Sequence, residues 1–168
     1  SILEELQQQQ NNDVEVLGLT GGINKRLFEL TNDLNYLNNA ISAYEKGFQL
    51  KQDYYNGINA AFMLYIKTDL LKSQHKEWAD EKLNADYIRN GVLKIALNLE
   101  KEQGFLESDD AIWVLLSIAE AYHFKGQNDL MTTYENKAEK TASVNSDTFA
   151  TSSYYEQKDK IKNLNISF

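Results

Sequence analysis

The sequence predicts an all-α chain, a right-handed superhelix of stacked helical hairpins. Three observations predict it. There is no proline and there are only 8 glycines in 168 residues, which favours long helices over tight β-turns. No run of alternating β-branched residues occurs, and valine and isoleucine fall at helical spacing instead. The stretch Asn38 to Tyr65, NNAISAYEKGFQLKQDYYNGINAAFMLY, reads as the second helix of one hairpin, a short turn and the first helix of the next.

In that stretch Leu37, Ile41, Tyr44 and Phe48 share one helical face, with Ala40 and Gly47 beside them. Small side chains at fixed points admit a neighbouring helix, and the aromatic rings fill the space around them. Asp53 is the expected N-cap of the next helix. Tyr54, Ile58, Ala61, Phe62 and Tyr65 form the apolar face of that helix. Two amphipathic helices joined this closely bury their stripes against each other.

The remaining elements follow the same logic. Ile2, Leu3 and Leu6 precede a glutamine tract and read as the tail of a helix whose partner lies upstream. A helix is expected from an N-cap at Asp13 to about Thr31. Gly21 and Gly22 interrupt it at about 1–2 kcal/mol relative to alanine, which points to close approach by a neighbouring helix or, as the alternative, a ligand. Asn32 to Asn35 is the expected turn. Residues 72–104 are expected as one long helix starting near Ser73, with Gly104 as its C-cap. Ser108, Asp109 and Asp110 precede a helix from Ala111 to about Lys125. A second runs from Asn128 to about Thr141, with Leu130, Met131, Tyr134 and Ala138 facing in. A last helix, Ser146 to Lys162, carries Phe149, Tyr154, Tyr155 and Ile161 and serves as a polar-faced terminal cap.

The spacing from Ala40 to the equivalent point of the next unit is roughly 34 residues, the tetratricopeptide period. AISAYEKGFQL resembles the second-helix signature of that repeat, with Tyr65 at the aromatic position of the first helix. AIWVLLSIAEAYHFKGQND resembles a first helix, with Ala119, Tyr122 and Gly126 at matching places. Over roughly residues 13–70 the chain is similar to a narrower family, the mitogen-activated kinase-kinase-kinase TRAF-binding domain of the apoptosis-signal-regulating kinases and their bacterial relatives. GGINKRL, a long turn, the AYEKGF helix and DYYNGINAA carry that resemblance. It implies a regulatory module that docks other proteins or neighbouring domains of its own chain. The richness in asparagine, lysine and tyrosine is of a bacterial kind, and there only the docking role carries over.

Composition narrows the function. The net charge of −8 disfavours nucleic acid and anionic membranes, whose phosphates would be repelled. There is no cysteine, hence no disulfide frame, thiol nucleophile or thiolate metal site. No apolar run is long enough to span a membrane and no signal-peptide pattern opens the chain, so the cytoplasm is expected. A start at Ser1 suggests a single domain excised from a longer protein. The sequon Asn165-Ile166-Ser167 carries no weight without a secretory signal.

No cofactor or metal is expected. Glu120 and His123 have the i, i+3 spacing of half a di-iron set, but no second copy exists. The pairs Asp80-Glu81 and Asp109-Asp110 are adjacent on a helix and do not face each other, and no serine sits in a triad pattern. The expected activity is therefore non-enzymatic: a scaffold that binds a protein or peptide on a concave face lined by first helices. The positions expected on that face are Lys25, Arg26, Asn56, Asn59, Lys67, Trp113, Glu120 and His123. Asparagine and lysine there can hydrogen-bond a peptide backbone or clamp a carboxylate, and Trp113 can anchor an apolar side chain. Two alternatives stand beside the scaffold: a peptide receptor, and a helical accessory domain of an enzyme encoded upstream or downstream.

Overall fold

The computed structural model describes residues 13–164; the expectations for Ile2, Leu3, Leu6 and the sequon fall outside them. The described residues form α1 (Val14–Thr31), α2 (Leu34–Lys51), α3 (Tyr54–Ser73), α4 (Ala79–Leu99), a 3-10 turn (Phe105–Glu107), α5 (Ala111–Phe124), α6 (Asn128–Asn145) and α7 (Phe149–Lys162), with no strand among them. The fold is all-α and made of tetratricopeptide-like hairpins. The chain divides into two compact units, Ser1–Arg89 and Asn90–Phe168, with the boundary inside α4.

The first unit begins with three helices capped alike. Asp13 accepts from Glu15 N at 2.9 Å, Asp33 from Asn35 N at 2.8 Å and Asp53 from Asn56 N at 2.8 Å. Each cap satisfies an amide that its helix leaves without a carbonyl. The two links are two residues long. Asn32 (φ 55) and Gln52 (φ 53) turn left-handed, and their amides close on Phe28 O and Phe48 O. A left-handed residue followed by an aspartate cap stops each helix without proline. The turn expected over Asn32 to Asn35 is thus shorter, because Leu34 and Asn35 already belong to α2.

The long helix expected over 72–104 is a correction of the same kind. α3 runs on to Ser73, and His75 (φ 54) turns left-handed, with Lys76 N bonded to Leu71 O at 2.9 Å. α4 starts only at Ala79 and stops at Leu99, five residues before Gly104. Gly104 (φ 78) instead opens the 3-10 turn. α6 continues one turn past Thr141, to Asn145.

The core of the first unit is the central stretch. Leu37, Ala40, Ile41, Tyr44, Gly47, Phe48, Ile58, Ala61, Phe62 and Tyr65 are all buried. A Cβ on Gly47 would sit 2.6 Å from Asn56 Cγ, and one on Gly21 would sit 2.6 Å from Tyr44 Cε1. The second unit buries Val92, Val114, Leu115, Ile118 and Ala138. There α5 packs on α6, and α7 touches both.

Side-chain bonds mark the repeat period. Lys25 Nζ donates to Asn59 Oδ1 across 34 residues, joining α1 to α3, and Asn84 donates to Glu45 across 39, joining α2 to α4. In the second unit Tyr134 and Lys137 donate to Glu100 across 34 and 37 residues, joining α4 to α6. Gln157 donates to Glu120 across 37, joining α5 to α7. Each of these bonds ties a helix to the one two places on, the equivalent helix of the next hairpin, whereas Lys125, at the end of α5, donates to Asn90 of the neighbouring α4 across 35 residues.

Buried tyrosines give the fold a pH limit. Burial raises the phenols of Tyr44, Tyr134, Tyr154 and Tyr155 well above their ordinary range, with Tyr55, Glu100, Glu135 and Glu139 respectively adding to the effect. Burial outweighs the opposing Arg89 charge and pushes Tyr65 up to about 12. An unfolded tyrosine ionises near pH 10 while the folded one keeps its proton. The stability these groups contribute is therefore complete below about pH 10 and falls as pH rises beyond it, by up to about 1.4 kcal/mol per pH unit for each well-buried phenol. Urea melts between about pH 9 and about pH 11.5 should show midpoints falling steeply in the upper half of that range. A flat profile would contradict the burial of these rings.

Candidate partner-binding surface

The positions expected on the binding face separate into two sets, one in each unit. In the first unit, Lys25 of α1 and Asn59 of α3 come together. Lys25 Nζ lies 3.2 Å from Asn59 Oδ1 and 4.8 Å from the centre of the Phe62 ring. Asn59 in turn donates to Tyr55 O. Both side chains are half-buried, so the pair forms a braced polar ridge between the two first helices. Arg26, next to Lys25, is exposed. Lys67 pairs with Glu81 at 3.6 Å.

Asn56 lies inside. It is 1% exposed, and its amide donates to Asp53 Oδ1 at 3.1 Å and to Val14 O at 3.4 Å. It fastens the start of α3 to the start of α1, in a space left open by Gly47. A surface role is closed to it.

In the second unit, Trp113 is half-buried at the start of α5. Phe149, at the start of α7, meets it edge-on, with ring centres 6.1 Å apart. Phe149 is 74% exposed. Further along the same helices, Glu120 is buried and accepts from Gln157 Nε2 at 2.8 Å. His123 is half-buried and sits edge-on to Phe124. Glu120 and His123 therefore belong to the packing layer, and the open part of this surface is the Trp113–Phe149 pair.

A second polar cluster, at none of the positions expected on the binding face, lies between α6 and α7. Glu135 of α6, 7% exposed, accepts from Tyr154 Oη at 2.7 Å and from Lys158 Nζ. Lys158 also lies over the Tyr154 and Tyr155 rings, about 6 Å from each centre. Paired and hydrogen-bonded in this way, buried charges hold α6 to α7. The i, i+4 spacing of Tyr154 and Lys158 on α7 was the available signal.

Among the described residues no three acidic or histidine side chains gather as a metal site. A shallow pocket of about 140 Å³ in the second unit is lined by Leu99, Gly104, Phe105 and Val114, with Glu102 and Asp110 among its polar groups. No described helix is long and apolar enough to cross a membrane.

No curated protein and no solved structure matches the chain. Residues 1–64 match the family described as Tetratricopeptide Repeats-Sensor. That match and the periodic bonds between equivalent helices agree, and the domain is tetratricopeptide-like.

Proposed function

We propose that this domain is a non-enzymatic interaction module that holds a protein partner on the faces of its first helices. The observation that carries the reading is the Trp113–Phe149 pair. A phenylalanine left 74% in water beside a half-buried tryptophan is an anchor for an apolar side chain of a partner. The Lys25–Asn59 ridge supplies the equivalent polar contact in the first unit, where it can meet a backbone carbonyl or a carboxylate. The resemblance of residues 13–70 to the TRAF-binding domain of the apoptosis-signal-regulating kinases supports a regulatory role within a signalling protein. In a cytoplasmic setting the docked partner is a separate protein or a neighbouring domain of the same chain.

The word sensor in the description of the matching family favours a second reading, a receptor for a free peptide. The two separate cleanly. A receptor shows a ligand-dependent rise in melting temperature with a short peptide, whereas a scaffold co-purifies with a large protein.

Proteins retained by the full chain would be identified and titrated against Phe149→Ala and against Asn59→Ala with Lys67→Ala. Phe149 is exposed, so its loss should leave stability within about 0.5 kcal/mol. Partner affinity should fall about tenfold or more with the loss of an aromatic anchor, and more modestly with the polar double variant. Unchanged affinity in all of them would remove the first-helix faces from the account.

A further inference from the structure

α1 has two apolar faces. One, with Leu17, Gly18 and Gly21, is buried. The opposite one carries Val16, Leu19, Ile23, Leu27 and Leu30. Leu27 is half-buried, while Val16 is 39%, Leu19 69%, Ile23 61% and Leu30 74% exposed. A helix apolar on opposite sides is one that is covered on both, and a continuous exposed stripe of this kind marks an interaction site.

We infer that the stripe is the seam of a homodimer, in which α1 of one copy packs antiparallel on α1 of a second. The spacing of the five residues is 3, 4, 4 and 3, the same read from either end. A two-fold axis through Ile23 therefore sets Val16 against Leu30, Leu19 against Leu27 and Ile23 against itself, which is the self-complementarity an isologous contact requires. Charge agrees with that register. Glu15 and Arg26 are both exposed and lie eleven residues, about three turns, apart, on the same flank of the stripe. In the antiparallel pair Arg26 of each copy lies opposite Thr20 of the other, about 7.5 Å of helix rise from the other copy's Glu15. Extended side chains of opposite sign span that gap.

The seam is about 21 Å long. One helix face is smaller than the roughly 800 Å² per partner of a standard stable interface, so the dimer forms at high protein concentration and dissociates on dilution.

The chain has no cysteine, which allows a direct test. Ile23→Cys places a thiol on the two-fold axis. Val144→Cys, at a position 78% exposed on α6, is the control. Under mild oxidation of the full chain at high concentration, Ile23→Cys should give disulfide-linked dimer at least tenfold faster than the control. Glu15→Arg or Arg26→Glu added to Ile23→Cys should slow the reaction, and both together should restore it. Cross-linking no faster than the control would overturn the proposal. So would failure of the double charge exchange to restore it. Cross-linking that appears only after residues 1–12 are removed would also overturn it, by assigning the stripe to that segment.

Discussion

Gly21→Ala should destabilise the domain by about 1–3 kcal/mol, the usual cost of overpacking a filled site. Alanine in a helix interior is ordinarily better than glycine by about 1 kcal/mol, so the sign itself is diagnostic. The new Cβ would lie 2.6–2.7 Å from three atoms of the Tyr44 ring. That ring cannot retreat easily: Tyr44 is 1% exposed, and the Tyr55 ring meets it edge-on at 6.4 Å. At the adjacent glycine the ordinary rule should hold. A Cβ on Gly22 meets only Tyr44 Oη, at 3.6 Å, so Gly22→Ala should stabilise by about 0.5–1 kcal/mol. Thermal melts of the two variants decide the matter. Stabilisation by both would mean that α1 and α2 do not approach as closely as described.

Glu135→Ala should destabilise the second unit by about 3–5 kcal/mol. It strands the Lys158 ammonium, whose side chain is 14% exposed, and takes the acceptor from the buried Tyr154 hydroxyl. A buried charge without its partner is far more costly than the intact pair is favourable. Glu135→Ala combined with Lys158→Met should therefore be more stable than Glu135→Ala alone. Denaturant midpoints of the single and double variants measure the coupling. A loss below about 1 kcal/mol in the single variant would show that the cluster is solvated.

The hairpins were legible because their signals are local. Leu37, Ile41, Tyr44 and Phe48 recur on one face, with Ala40 and Gly47 at the contact, and aspartates mark the helix starts at Asp13 and Asp53. The Gly21–Gly22 pair pointed to close approach, and the structure assigns that approach to Gly21 alone. Boundaries set by left-handed residues were harder to read. Asn32, Gln52 and His75 adopt positive φ; asparagine and histidine favour that region, but glutamine does not announce it.

The binding face was less legible, since a polar residue on a first helix looks the same whether it meets solvent or a distant helix. Asn56 is three residues after its cap Asp53, and that spacing was the one hint that it turns inward to bond it. Glu120 is buried by a bond to Gln157, 37 residues away, which helix periodicity does not reveal. Phe149 lies five and twelve residues before Tyr154 and Ile161, well off their face of α7, and meets Trp113 at its edge and water elsewhere. Leu83 and Tyr87 share a face of α4 roughly opposite the buried Ala85, Ile88 and Val92, and are 70% and 75% exposed. A roll of apolar residues at helical spacing is not yet a face: their angles relative to one another decide which of them a neighbouring helix can cover.

Amide hydrogen exchange on the complex with a purified partner decides whether the first helices carry the docking face. Exchange should slow only in those helices, in α1 and α3 around Lys25 and Asn59 or in the opening turns of α5 and α7 around Trp113 and Phe149. Protection confined to α2 and α6, with the first helices exchanging as in the free protein, would contradict it.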